Sequence, residues 1–260
     1  MNNADNDQGN SPADEQQTIK LFRTGEHQCS YLPDQQSRTL FLDPELTFST
    51  PLYEQLMHLG FRRSGQHLYR PDCENCGACL PSRVRVDAFD WKRRFRRILK
   101  RNNDLTLRRL PCRFSEEHYQ LYERYLSERH SEGDMYPPTR DSYRDFLVSR
   151  PDLGFILEVR QGDRLLAVAF TDLLATGLSA TYTFFECEDD KRSLGTFAIL
   201  SQIQLCRELN LPFLYLGYWV PGSAQMQYKA DFRPLDILIN RQWRTLNDQL
   251  IETLPLTHPS

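Results

Sequence analysis

Cys73, Cys76 and Cys79 stand at C-x2-C-x2-C spacing within Arg70-Pro-Asp-Cys-Glu-Asn-Cys-Gly-Ala-Cys79. Thiols this close in sequence can converge on one ion, and Cys29 completes a set of four if residues 29 and 73–79 meet. Zinc or an iron–sulfur cluster is the chemistry such a set supports. The same spacing also suits small buried thiols that stabilise a tight loop, or thiols that touch a substrate. With 7 cysteines in 260 residues a disulfide framework is not expected. Met1 to Gln17 lacks the basic and apolar regions of a secretory signal, so the expected compartment is the cytosol.

The second chemical pattern is cationic. Asp90 is positioned to cap a helix that begins at Trp91, in which Trp91, Phe95, Ile98 and Leu99 form one apolar stripe. Lys92, Arg93, Arg94, Arg96, Arg97, Lys100 and Arg101 fill the other faces with no acid among them. Such crowding is self-repulsive unless an anion offsets it, so a nucleic-acid phosphate backbone is the expected partner; the plainer alternative is a solvated face. The net charge of −3 conceals this, because residues 1–17 carry −4, residues 18–110 carry +7 and residues 111–260 carry −6.

These groups must be held by folded elements. Hydrophobic residues make up 40% of the chain and charged residues 26%, enough to bury a core. No apolar run of about 18 residues is present, so no membrane span is expected. The polar, acidic segment 1–17 reads as a disordered tail. Residues 18–110 are expected to form an N-terminal lobe with the cysteine loop and the basic helix, and 111–250 a second domain, followed by a tail over 251–260. Within the lobe, Thr50 is a plausible cap for a helix with Pro51 at its first position and Gly60 at its end. His67–Arg70 and Ser82–Val86 read as short strands on either side of the cysteine loop. Beyond the lobe, residues 115–129 and 140–147 read as helices, the first capped by Ser115. Residues 155–160, 165–173 and 179–186 read as a three-strand meander joined at Gln161-Gly-Asp163 and Ala175-Thr-Gly177. A helix over 194–208 and strands over 211–218 and 236–239 complete the pattern, the last being the expected final strand.

This α/β (α+β) order resembles the GNAT acyltransferase fold, here with a smaller cysteine-containing N-terminal lobe. Proteins of that fold seat a coenzyme A pyrophosphate on a Q/R-x-x-G-x-G/A turn at a helix N-terminus. The corresponding stretch is Arg192-Ser-Leu-Gly-Thr-Phe197, in which Phe197 replaces a small residue and disfavours an acetyl-CoA enzyme.

More specific stretches resemble the arginyl-tRNA–protein transferase family. They are Tyr31-Leu-Pro-Asp34, Leu59-Gly-Phe-Arg-Arg-Ser-Gly65, Tyr69 to Cys79, Arg101-Asn-Asn-Asp-Leu105, Gly133-Asp-Met135, Ser193-Leu-Gly195, Tyr215-Leu-Gly-Tyr-Trp219 and Met226-Gln-Tyr-Lys-Ala-Asp-Phe-Arg-Pro234. The resemblance spans about residues 20–240 and is strongest to the compact bacterial branch. It implies transfer of leucine from leucyl-tRNA to proteins beginning with Asp or Glu, marking them for N-degron proteolysis, with no DNA or membrane partner. Eukaryotic relatives carry a C-x2-C near the N-terminus where this chain reads Cys29-Ser-Tyr-Leu32.

An aminoacyl ester is already activated, so the implied reaction requires no cofactor, and no Ser-His-Asp or Cys-His nucleophile pattern is found. The resemblance places Ser193 and Gly195 in a cradle for the acceptor end of the tRNA, beside the basic helix. Tyr182, Tyr218, Tyr228 and Lys229 lie on or just after strands that line the acyl site of this fold, and Asp172 ends a strand where it could orient an amine. For the acceptor's side-chain carboxylate, Arg70, Arg83 and Arg140 are the candidates, since a guanidinium binds it through two parallel hydrogen bonds. Arginine as donor, and a non-catalytic RNA-binding or redox-sensing module, are the alternatives.

Overall fold

The computed structural model describes residues 19–254; the expected disordered tail over 1–17 and the last residues of the expected tail over 251–260 lie outside the described residues. The chain begins with β1 (Leu21–Arg23), β2 (His27–Gln28), β3 (Gln36–Ser37) and β4 (Thr39–Leu42). Then come α1 (Thr50–Met57), β5 (Arg62–Ser64), β6 (His67–Pro71), β7 (Leu80–Arg85), α2 (Arg93–Arg101) and β8 (Thr106–Pro111). α3 (Glu116–Arg129) and α4 (Arg140–Tyr143) follow, the latter running on into a π-turn over Arg144–Val148. The second half contains β9 (Gly154–Gln161), β10 (Arg164–Leu173), β11 (Gly177–Phe185), α5 (Leu194–Glu208), β12 (Phe213–Trp219), β13 (Leu235–Ile239), β14 (Gln242–Thr245) and α6 (Asp248–Glu252).

Three expected caps differ. Ser49, not Thr50, caps α1 by accepting from the Leu52 amide at 3.4 Å. α2 starts two residues later than its apolar stripe suggests, with Lys92 at the cap position and no side-chain cap. Asp90 instead accepts the Lys92 amide through its carbonyl at 2.8 Å, so its carboxylate does not cap the helix. Ser115 makes no capping bond to α3. Both β8 and β14 were outside the expected strand set, and β13 is therefore not the final strand.

The strands form a small sheet in the order β1-β4-β6-β5, a β2-β3 ribbon, and an eight-stranded sheet in the order β14-β13-β7-β12-β11-β10-β9-β8. β7 lies within the large sheet, with Val84 opposite both Leu214 and Leu235. The expected division at residue 110 therefore runs through one continuous sheet. The expected GNAT-like architecture is borne out: β8 to β11 are an antiparallel meander, and β11 runs through α5 into the parallel β12.

Both faces of the large sheet are covered, as a sheet with connecting helices requires. α5 packs Leu200 and Ile203 on Val84, Leu178, Leu214 and Ile237, all fully buried. Phe95 of α2 joins this core between the rings of Phe89 at 5.5 Å and Phe232 at 5.1 Å. On the other face, Tyr122 and Leu126 of α3 and Tyr143 of α4 pack on Val168, Phe170 and Phe184.

One irregularity of the sheet makes the site. β11 and β12 pair only where Gly177, Leu178 and Ser179 face Phe213, Leu214 and Tyr215, and then they separate. Register shifts follow at Phe170/Thr171 in β10 and at Tyr215/Gly217 in β12. Gly217 adopts φ +79°, a left-handed backbone that a side chain would strain. Bulges of this kind re-aim strands and side chains.

Candidate active site

The separation of β11 from β12 opens a cleft of about 1020 Å³. Ser179 to Thr183 of β11 line one wall and Leu216 to Tyr218 of β12 the other. Ser193, Leu194, Gly195 and Thr196 bring in the N-terminus of α5, and Arg62 and Arg63 of β5 enter from the small sheet. Tyr228 and Lys229, on a short 3-10 turn over Gln227–Asp231, close the mouth. The structure thus brings Tyr182, Tyr218, Tyr228, Lys229, Ser193 and Gly195 to one cleft, as expected.

The α5 N-terminus is uncapped by any side chain, and Ser193 before it has φ +54°. Its amides and helix dipole favour an anion. Gly195 approaches the Phe185 ring so closely that a Cβ would stand 3.0 Å from Cε1. Phe197, expected to crowd this turn, points instead into the core against Val159 and Ala167. Its size is a packing requirement of α5 and does not fill the cradle.

The turn that precedes α5 is tied to the basic helix. The buried Asn102, just after α2, donates to the Arg192 carbonyl at 2.9 Å, and Arg101 donates to the Lys191 carbonyl. The Arg192 guanidinium makes two 2.9 Å bonds to Asp104 and holds that carboxyl below its usual range. The C-terminal end of α2 therefore adjoins the α5 N-terminus. Of the expected tRNA-binding cations, Arg94 pairs with Asp231 at 2.8 Å and Lys92 donates to the Asp231 carbonyl at 3.4 Å. Arg93, Arg96, Arg97 and Lys100 remain exposed.

Lys229 is 6% exposed, and its Nζ donates to the Tyr218 carbonyl at 2.6 Å. Burial, reinforced by the Arg62 charge, lowers its pKa from an ordinary 10.5 to about 7. A lysine so placed is a neutral amine in a large fraction of molecules near pH 7 and can accept a proton. The Tyr218 hydroxyl donates to the Gly60 carbonyl at 2.7 Å, and burial raises its pKa well above the ordinary value. Tyr182 packs edge-on against Phe146 at 5.1 Å and is likewise raised by burial, so both phenols stay protonated. Tyr228 is half exposed beside Lys229 and presents a ring at the cleft mouth.

Four expected site residues are placed elsewhere. Asp172 is buried in a two-bond ion pair with Arg63 (Nε–Oδ2 2.9 Å, Nη2–Oδ1 2.8 Å) and accepts from the Tyr53 hydroxyl at 3.2 Å. It holds β5 to β10 and does not line the cleft. Arg83 lies 3.5 Å from Asp236 and between the rings of Phe213 and Trp243, fixed within the sheet. Arg140 is bound on the surface to Glu116 by 3.0 and 2.5 Å contacts. Arg70 covers the Phe61 ring and donates to the Leu59 carbonyl at 3.4 Å. The arginines that do reach the cleft from the small sheet are Arg62 and Arg63, which lie in the Leu59–Gly65 stretch but were not among the expected carboxylate ligands.

Cys29, Cys73, Cys76 and Cys79 line one cavity of about 140 Å³, which shares Tyr31, Tyr69 and Tyr218 with the cleft. Burial and then the neighbouring thiols push Cys79 up to about 12, which keeps it a thiol. Four sulfurs around one cavity are a suitable donor set. Among the described residues, however, no three His, Cys, Asp or Glu side chains converge closely enough to hold a metal ion. As they stand, the thiols wall this neighbouring cavity without forming a ligand group.

Comparisons with known proteins show the family to which the chain belongs. Residues 27–97 match the family described as "Arginine-tRNA-protein transferase, N terminus", and residues 117–239 match "Arginine-tRNA-protein transferase, C terminus". An aspartate/glutamate leucyltransferase of Pseudomonas fluorescens is 50% identical over 229 residues, covering 88% of this chain and 97% of that protein. One from Alcanivorax borkumensis is 51% identical over 227 residues, covering 87% and 94%. Among solved structures, L-PGS from Bacillus licheniformis matches with a TM-score of 0.43 at 13% identity, over 65% of this chain and 49% of its own. No described helix is long and apolar enough to cross a membrane.

Proposed function

Since the chain belongs to the arginine-tRNA-protein transferase family, we propose that its cleft transfers leucine from leucyl-tRNA to the N-terminal Asp or Glu of proteins, marking them for degradation. The match of both halves of the chain to that family carries this reading. The uncapped α5 N-terminus beside a basic helix, with a buried lysine across the cleft, supports it.

The chemistry follows from the ester. The acceptor's α-amine, with an ordinary pKa of roughly 7.7–8.0, attacks the leucyl carbonyl carbon. The N–C bond forms as the carbonyl electrons move onto oxygen, and the C–O bond to the ribose then breaks. Lys229 takes the proton from the attacking nitrogen and returns it to the departing ribose oxygen. Beyond Ser179, β11 has no strand partner on the cleft side, so its amides are available to the developing oxyanion. The ester supplies the driving force, and no step consumes ATP. The remaining task is positioning. The α5 N-terminus and α2 hold the tRNA phosphates, and Tyr228 offers a ring on which a terminal base can stack.

The lining of the cleft favours leucine over arginine as donor. Ala180, Ile199, Leu216 and Met226 supply apolar surface. Among the described residues, Glu186 is the one acid that lines it, and Arg124 already engages Glu186 at 3.2 Å. An arginyl side chain would enter without a free carboxylate to meet it. A transfer assay with radiolabelled leucyl- and arginyl-tRNA against peptides beginning Asp, Glu and Ala tests the reading. Label is expected from leucyl-tRNA on the first two peptides; equal labelling of all three, or none, would refute it.

The role of α2 is tested separately. Replacing Arg93, Arg96, Arg97 and Lys100 by Ala removes exposed cations that make no ion pair among the described residues. The slope of log K against log salt for tRNA binding is expected to fall by roughly 0.7–0.9 for each phosphate no longer neutralised, with the fold intact by circular dichroism. Binding that keeps its slope would return this helix to the role of a solvated face.

A further inference from the structure

Arg62 is a charge that the fold itself does not satisfy. It is 7% exposed on β5, and among the described residues its guanidinium has neither an ion-pair partner nor a hydrogen bond. The adjacent Arg63, equally buried, is fully engaged by Asp172. Arg62 is instead surrounded by phenols that stay protonated, Tyr53, Tyr69 and Tyr218, and by the amine of Lys229. A buried guanidinium without an anion is costly and is retained in a fold only where something offsets it. Arg62 lines the cleft, so the cleft is where an anion can reach it.

Its distance from Lys229 is informative. A Cβ built on Gly217 would stand 3.5 Å from Arg62 Nη2 and 3.6 Å from Lys229 Nζ, so both cationic groups adjoin one glycine. An N-terminal Asp or Glu carries its α-amine and side-chain carboxylate only a few bonds apart. A site for such a residue needs a base and a guanidinium at this kind of separation. Resting on the transferase reading above, we propose that Arg62 binds the side-chain carboxylate of the acceptor's first residue while Lys229 serves its α-amine. Discrimination follows from the chemistry. Asn and Gln match Asp and Glu in shape, but their NH2 groups would place donors against the donors of Arg62.

The test measures leucyl transfer by the full chain to peptides beginning Asp, Glu, Asn and Gln, with wild type, Arg62→Gln and Arg62→Lys. Wild type is expected to prefer Asp to Asn and Glu to Gln. Arg62→Gln should raise KM for the acidic peptides by about 100-fold or more, with a smaller change in kcat, and should abolish the preference for Asp over Asn. Arg62→Lys retains the charge without the fork and should recover part of the preference. Because Arg62 also depresses the Lys229 pKa, its loss should move the rising limb of the pH profile upward for every acceptor alike, a change separable from the preference. If Arg62→Gln misfolds, Arg62→Lys and competition between Asp and Asn peptides on wild type carry the test. A variant that lowers activity yet keeps the full preference for Asp over Asn would overturn the assignment. A wild type that transfers no leucine to any peptide would overturn the transferase reading itself.

Discussion

Lys229→Met is expected to lose leucyl transfer by about 10²–10⁴-fold and, at the same time, to be more stable than the wild type at neutral pH. The two effects share one cause. Burial and the Arg62 charge hold the folded-state pKa of Lys229 at about 7, against an ordinary 10.5. Between those values the unfolded chain binds the proton and the folded chain does not, so this group makes stability rise with pH. Its cost is fully present below pH 7 and is relieved as the pH approaches 10.5. A shift of this size corresponds to on the order of 5 kcal/mol, from which the lost hydrogen bond to the Tyr218 carbonyl, about 1–3 kcal/mol, is subtracted. Urea denaturation of both proteins from pH 6 to 10 should show a gap that narrows as the pH rises. Lys229→Arg separates the roles, since it keeps the charge but cannot act as a base near neutrality; it should lose activity without gaining stability. Single-turnover transfer that survives in either variant would remove Lys229 from the chemistry. Arg62, Cys79, Tyr218 and Tyr228 surround this amine, and of these Arg62 is the permanent charge, so Arg62→Gln should raise the Lys229 pKa.

The parts of the fold that were legible are those with strong local patterns. The strand and helix runs of the second half lie within a few residues of β9, β10, β11, α5 and β12, because apolar runs broken by Gln161-Gly-Asp163 leave little choice of register. β8 was not legible: Thr-Leu-Arg-Arg-Leu-Pro is mostly exposed at the sheet edge and does not alternate. The position of β7 was illegible for another reason. Alternation states which face of a strand is apolar but not which strands are its neighbours, so nothing in Ser82–Val86 pointed to β12 and β13.

The same limit governed the arginines. In sequence, Arg70 and Arg83 flank the cysteine loop and Arg140 opens α4. What decided their roles was Phe61, Asp236 and Glu116, acceptors or rings that meet them only in the fold. Arg62 and Arg63 did carry a signal, two adjacent cations in a short strand just after the apolar Phe61. Side chains in a strand alternate, and here one guanidinium meets Asp172 while the other faces the cleft. Lys229 and the α5 N-terminus were found because they lie in stretches shared with a known family; the lysine's burial, which sets its chemistry, could be read only from the packed site.

Asp172→Ala is expected to cost about 3–5 kcal/mol of stability, among the largest effects of any single change outside the hydrophobic core. Asp172 and Arg63 are 4% and 3% exposed, and the pair is closed by two hydrogen bonds and by the Tyr53 hydroxyl. Removing the carboxylate strands a buried guanidinium whose remaining hydrogen bond is to the Gly65 carbonyl. The penalty therefore reflects the charge left behind more than the worth of the pair. That distinction gives a second, sharper expectation: Arg63→Met combined with Asp172→Leu should recover most of the lost stability, because neither buried charge remains. The pair joins β5 to β10, and thus the small sheet that carries Arg62 to the large sheet that forms the cleft. Asp172→Ala should accordingly raise KM for acidic acceptors more than it lowers kcat, as the position of Arg62 loosens. A direct role for Asp172 in orienting the amine predicts the reverse, a fall in kcat that the double variant does not restore. Denaturation midpoints and the KM-against-kcat split for the single and double variants decide between a strut and a participant.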